Sequence, residues 1–375
     1  MSKSVNMSMQ NRFAAILHQT GTTAFKLGVI GALCVPGLLA GEARFRPELT
    51  EFVFEQGPFR ESHASTLVEL PGGDLMVAWF GGRQEGDNSV EIWLSRKPAG
   101  GVWSVPQAMT RFSAAPCWNP VLFRDAVDQV WLFFKVGPDE MSWVGAYRIS
   151  RDGGNSWSDI TYLPAGLLGP IRNKPLLLSN GDIIAGSSRE AGMRRGATRP
   201  APYWSWASWV ERSRDGGKSW NLYGPVVFPG INYGVIQPTI WESEPGHLKM
   251  LLRSTEQIGF ICESTSSDGG TTWTPAKTTS LPNPNSGIDA VRMRDGRIAL
   301  AYNHSRLART PLNLALSADD GKTWGFPNIL EDGPGEYSYP AIIQSRDGKL
   351  HITYTWRRQR IKHVVVNPAD IKMSD

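Results

Sequence analysis

Three features of the sequence predict an all-β fold, a six-bladed β-propeller of four-stranded antiparallel blades. The pattern Ser-x-Asp-x-Gly-x-x-Trp occurs four times, at Ser150–Trp157, Ser213–Trp220, Ser266–Trp273 and Ser317–Trp324. A turn followed by a strand occurs six times, beginning at Pro71, Val127, Asn180, Pro245, Asp295 and Asp347, which is about 50 to 65 residues per copy and suits one blade with its loops. Fifteen Trp and 39 Gly in 375 residues favour many short strands joined by tight turns.

In chain order, residues 1–43 come first. Leu27 to Ala40 is an apolar run preceded by Lys26 and followed by small residues up to Ala43, the pattern of a secretory signal segment. It is short for a bilayer span, so export with cleavage near Ala40 or Ala43 is expected, an uncleaved anchor being the alternative. The location this implies is secreted or periplasmic. Residues 44–375 form the propeller, with no linker or second domain. Thr50–Gln56 alternates polar and apolar residues, and blade six lacks a strand because only Ile361–Val366 follows its last turn. The N-terminal strand is therefore expected to complete blade six and close the ring.

The Ser-x-Asp-x-Gly-x-x-Trp hairpins follow the second to fifth turn-strand copies. Ser and Asp side chains can hydrogen-bond the turn amides, Gly takes a positive φ, and Trp packs beneath the loop. Ser95–Trp103 stands where the first hairpin belongs but lacks the Asp. These are structural motifs and contain no catalyst.

In such a ring the start of each innermost strand borders a central pocket. Aligning the six turns places His63, Asn119, Lys174, Gln237, Asp289 and Tyr339 there, all polar. The ends of the second strands reach the same face and carry Arg83, Lys135, Arg189 with Glu190, Arg253, Asn303 with His304, and Arg357 with Arg358. So many cations predict an anionic ligand, a carboxylate gripped by arginine; the alternative is local pairing with acids such as Glu85 or Glu256.

Charge excludes other partners. Without residues 1–43 the chain has 36 basic and 34 acidic residues, so no nucleic-acid or anionic-membrane partner is implied. Cys34 lies in the export segment, while Cys117 and Cys262 are expected to be independent buried thiols. No Cys/His cluster implies a metal, no cofactor is required, and no protein partner is indicated.

The four hairpins on a six-fold period resemble the Asp-box repeats of the sialidase (neuraminidase) superfamily, over residues 50–366. The resemblance implies a retaining exo-glycosidase that releases a terminal acidic sugar from a glycan, a sialoglycoconjugate or an acidic polysaccharide. Three arginines would clamp the sugar carboxylate, an Asp would be the general acid, and a Tyr assisted by a Glu the nucleophile. By this likeness Arg60, Arg253 and Arg309 are the clamp, Asp87 is the acid, and Tyr337 or Tyr339 is the nucleophile. Arg83, Asn119, Lys174, Gln237, Asp289 and Arg357 complete the expected lining.

Two departures matter. His63 takes an inward position where the family has a different residue, and the family's Glu on blade four is Gln237 here, an amide that cannot deprotonate a phenol. Glu256 or Glu336 could replace it. Alternatively His63 and Tyr339 would serve a lyase or glycosidase acting on uronate- or rhamnose-containing glycans, with the arginines neutralising a carboxylate. A third reading is a non-catalytic carbohydrate-binding propeller. The long loop of blade three adds Tyr203, Trp204 and Trp206 as stacking platforms, or as packing, together with Arg194, Arg195 and Arg199.

Overall fold

The computed structural model describes residues 45–112, 114–193, 201 and 203–374. The export segment 1–43 and the loop arginines Arg194, Arg195 and Arg199 lie outside the described residues. Six sheets, each of four antiparallel strands, make the blades. Their innermost strands are Glu61–Glu69, Cys117–Arg124, Leu176–Leu177, Val235–Glu244, Asp289–Arg292 and Tyr337–Gln344. Blade six ends in Arg360–Val366, and Leu49–Phe52 pairs antiparallel with it, Leu49 facing Val365 and Phe52 facing Lys362. The N-terminal strand thus supplies the missing outer strand, as its alternation predicts, and leaves blade six no open edge on that side.

The Asp-box hairpins fix both their own turns and the contact between blades. In each, the Ser Oγ accepts the Gly N–H, at 2.7 Å in Ser150–Gly154, and donates to Asp Oδ1 at 2.8 Å. The Asp accepts the N–H of the residue four further on, at 2.8–2.9 Å in all four copies. Gly154, Gly217, Gly270 and Gly321 have φ between +80° and +88°. Each lies against the preceding blade, on Met76, Trp131, Ile184 and Trp241 respectively. A Cβ on Gly270 would come within 2.4 Å of Ile184, so the position needs glycine for space as well as for φ. The repeat is a device for locking one blade to the next.

The core is a row of apolar clusters between neighbouring blades, with Trp79, Phe133, Phe134, Tyr302 and Tyr354 wholly buried. Cys117 and Cys262 are separate buried thiols, each with its pKa pushed up to about 12 by burial. No helix among the described residues is long and apolar enough to cross a membrane.

Candidate active site

Four innermost strands carry the same bulge near their first residues. In each, two residues oppose one, after His63, Trp118, Ile236 and Ser338. The first bulged residue is left-handed: Ala64 (φ 56°), Asn119 (41°), Gln237 (55°) and Tyr339 (52°). Such a conformation costs on the order of 1 kcal/mol for a non-glycine residue, and a bulge re-aims its side chain. Asn119, Gln237 and Tyr339 accordingly line a pocket of about 250 Å³ on the axis. Blade one corrects the sequence alignment by one residue, since Ala64 holds the equivalent position and His63 matches Trp118, Ile236 and Ser338.

Tyr339 is the centre of the pocket. Its Oη accepts from Arg253 Nη1 at 2.6 Å, and the guanidiniums of Arg172, Arg309 and Arg253 lie 5.3, 5.4 and 5.6 Å from the centre of its ring. Arg253 also donates to Gln237 Oε1 at 3.2 Å and twice to Asn285 Oδ1, at 2.9 and 2.7 Å, while Trp206 packs under it. These contacts leave Arg253 little rotational freedom, so the phenol oxygen meets a fixed positive charge. Tyr337, two residues earlier, is buried in the core between blades five and six, with Arg357 beside its hydroxyl. The expected choice between the two tyrosines therefore falls on Tyr339 as the one facing the pocket.

Cations converge as expected, but most are already paired. Glu336 accepts from Arg309 at 2.8 Å and from Arg358 at 3.0 Å, and Arg358 also reaches Glu85. Burial works against ionisation of Glu336, yet the two arginines outweigh it and hold its pKa at about 2. The lining thus alternates sign, with Arg253, Arg309 and Arg358 against Glu85, Glu140 and Glu190. Of the two expectations for the strand ends, the local pairing with acids such as Glu85 is the one found for Arg358.

Glu190 is the pocket carboxylate whose surroundings favour the protonated form. It ends the second strand of blade three, half-buried among Trp206, Met193 and Tyr233. Burial, then the nearby Glu140 charge, pushes its pKa up to about 8, against the opposing pull of Arg253. It therefore keeps its proton at neutral pH, the state a proton donor needs. Trp118, Trp143, Trp206 and Tyr233 supply aromatic walls on which a sugar face can lie. Of the blade-three loop, Trp206 joins the wall, Trp204 is buried against Tyr233, and Tyr203 is exposed.

Several expected residues sit elsewhere. Asp87 lies in the loop after the second strand of blade one, caps Ser89 N–H at 2.8 Å and pairs with exposed Arg83 at 3.0 Å. Those Ser89 bonds first, then Arg83, lower its pKa to about 2, and in this conformation it caps a turn outside the pocket lining. Arg60 is exposed ahead of the first strand and is outside the lining. Lys174 and Asp289 neutralise each other at 2.9 Å, Asp289 being buried where it also holds Thr239 and the Ile342 N–H. Lys174 opens instead toward the far side, beside Ile240 and Trp241. Arg357 is exposed and stacks on Trp356. Lys135 is wholly buried and donates to Pro170 O, with burial drawing its pKa down to about 7. His63 is buried under the ring of Tyr339, centroids 4.2 Å apart, and burial followed by four arginines drives its pKa well below the usual imidazole value. It is not among the residues that line the pocket.

Sequence reasoning missed Glu140, Trp118, Trp143, Tyr233 and Asn285 as lining residues. Trp118 had a signal, since it precedes the bulged Asn119; the others lie on loops whose approach to the axis no local pattern encodes. Among the described residues no group of His, Cys, Asp and Glu is arranged to hold a metal ion.

This geometry stands within a known architecture. A protein of unknown function from Dyadobacter fermentans superposes with a TM-score of 0.70 at 17% identity, over 85% of this chain and 98% of that one. NanB sialidase of Streptococcus pneumoniae gives 0.69 at 14% identity, over 85% and 71%. Leech intramolecular trans-sialidase, in complex with 2,7-anhydro-Neu5Ac, gives 0.67 at 14%, over 88% and 71%. These likenesses concern the fold. No curated protein sequence matches the chain. The family model of the BNR repeat-like domain matches residues 73–352. The chain is a member of the BNR repeat-like family, folded as a six-bladed propeller.

Proposed function

We propose that the axial pocket is the active site of an exo-acting glycoside hydrolase that takes the terminal sugar of a glycan. The observation that carries this reading is geometric: Tyr339, its hydroxyl held by Arg253 at 2.6 Å, lines the same axial pocket as the carboxyl of Glu190. Tyr339 gives its phenolic proton to solvent water in the open pocket, with Arg253 stabilising the phenolate. Oη then attacks the anomeric carbon as the bond to the leaving oxygen breaks and Glu190 protonates that oxygen. A water molecule, giving its proton back to Glu190, finally displaces Tyr339 from the sugar. Arg253, Arg309 and Arg358 form the clamp for a sugar carboxylate, Arg358 taking the place expected of Arg60. Glu336 holds two of these guanidiniums in register. With Gln237 where the family resemblance puts a carboxylate, no acid touches the phenol, and activation of Tyr339 rests on the guanidiniums.

The carboxylate wall of Glu85, Glu140 and Glu190 favours a second reading, a terminal sugar recognised through its hydroxyls rather than a carboxylate. Both readings belong with the export segment 1–43, a secreted or periplasmic location and a glycan partner. Elimination on a uronate polymer loses His63 as its base, because that imidazole lies beneath Tyr339.

Purified protein assayed on fluorogenic sialosides, uronides and neutral glycosides tests the proposal. Release of the fluorophore, lost in both Tyr339→Phe and Glu190→Gln, is the expected result. Saturable glycan binding with no turnover of any substrate would replace the hydrolase with a carbohydrate-binding propeller. Growth of ultraviolet absorbance from an unsaturated uronate product would replace it with a lyase.

A further inference from the structure

Beneath Tyr339 the axis holds polar groups that the pocket chemistry does not use. Arg172, from the segment just before the innermost strand of blade three, is 1% exposed and crosses to blade six, where its Nη2 donates to Pro340 O at 2.6 Å. Its Nε and Nη1 have no hydrogen-bond partner in the protein, and neither ring nitrogen of His63 has one. Ser62 and Ser65, flanking His63 on the first innermost strand, have unpartnered hydroxyls as well. Buried donors in native proteins are almost always satisfied, and an unsatisfied guanidinium N–H is among the most expensive to leave.

Charge distinguishes what these donors can bind. The carboxylate acting most on Arg172, Asp289, is bonded through both oxygens to Lys174. Glu336 is bonded to Arg309 and Arg358. Arg172 and Arg253 therefore lack a counter-charge in direct contact, and around His63 the neighbouring charges are four guanidiniums, Arg358, Arg309, Arg172 and Arg253. Burial of an uncompensated cation is costly, and an anion of about the size of a water molecule both balances it and accepts its free N–H groups.

We propose that the propeller axis carries a buried monovalent anion, of the halide class, bound by Arg172 Nε–H and Nη1–H and by an N–H of His63 beneath the ring of Tyr339. The site is separate from the carboxylate clamp, since Arg172 and His63 are closed off from the pocket, and it does not depend on the hydrolase reading. Its consequence is structural as well as electrostatic: the anion ties blades one, three and six at the axis.

Crystals of the wild-type protein soaked in sodium bromide test it by anomalous scattering. The expected result is a bromide peak within hydrogen-bonding distance of Arg172 Nε and Nη1. The melting midpoint should also rise with bromide or chloride beyond its value in gluconate at equal ionic strength, because a ligand of the folded state alone stabilises in proportion to the logarithm of its excess over Kd. Arg172→Met should abolish that halide-specific rise; should it fail to fold, His63→Phe, which keeps the guanidinium, should weaken the rise without removing it. Absence of a peak at Arg172, or a peak with no halide dependence of the wild-type midpoint, which marks an adventitious ion only, overturns the proposal.

Discussion

Asp87 on blade one and Glu190 on blade three are both acidic, and both follow or end the second strand of a blade. Asp87 lies in a surface loop with its side chain 21% exposed, bonded to the Ser89 amide and paired with Arg83, and its pKa falls to about 2. Glu190 is half-buried next to Glu140 and a tryptophan, and its pKa rises to about 8. Family resemblance points to Asp87 and the electrostatics of the folded chain point to Glu190. A motif position says where a side chain starts, whereas proton donation depends on what surrounds its end.

The sharpest break between the two regions comes from kinetics. Tyr339→Phe removes the nucleophile that either acid would serve, and kcat should fall by at least about a thousandfold with the fold intact. Circular dichroism and the melting midpoint would show that the loss is chemical. Glu190→Gln should then cost about 10²- to 10⁴-fold in kcat, the range of a general acid. Its pH profile should change as well. Because Glu190 acts in its protonated form, wild-type activity is full below a pH of about 8 and falls as pH rises through it. The variant should lack that alkaline limb. Wild-type activity rising across pH 8 would remove Glu190 from the role.

How much of this was legible beforehand follows from the range of each interaction. The propeller was legible because the Asp-box hairpin is local: Asp268 meets Thr272 four residues away, and the pattern survives intact in four copies. Tyr339, Gln237 and Asn119 were legible because each stands before a proline at the start of an inner strand, while Ala64 lacks that proline and the alignment slipped to His63. The state of the charges was not legible. Arg309 finds Glu336 across 27 residues and Arg358 finds Glu85 across 273, and such pairings are fixed by the angle between blades. For the same reason the charge of Glu140, on a different blade, could not be seen to act on Glu190.

The hairpin carboxylates sharpen the comparison from the structural side. Asp268 resembles Asp87 in its low pKa, about 2, which its bonds to Thr272 and Ser266 sustain against the small desolvation of an exposed turn. It differs in holding a hairpin that locks blade four onto blade three. Asp268→Ala should lower stability by about 1 kcal/mol, the usual loss for a side chain capping a turn's amides. Since the folded pKa lies below the ordinary aspartate value, this contribution is complete at neutral pH and is lost as pH falls through about 2. Denaturant melts of wild type and variant should therefore converge in strong acid.

Asp87 itself should show the smallest effect. Asp87→Asn keeps an oxygen to accept the Ser89 N–H and loses an ion pair whose arginine is 77% exposed. Exposed pairs of this kind contribute little, so activity should stay within about threefold of wild type and the alkaline limb should remain at a pH of about 8. A loss as large as that of Glu190→Gln would mean that the loop from Arg83 to Ser89 swings over the pocket when substrate binds, carrying Asp87 to the leaving oxygen. The two carboxylates would then divide the work, Asp87 delivering the proton and Glu190 acting as a neutral hydrogen-bond donor. Measuring both variants on the same substrate separates these cases by the rate of Asp87→Asn, which stays near wild type if Asp87 only caps its turn and falls as far as that of Glu190→Gln if Asp87 delivers the proton.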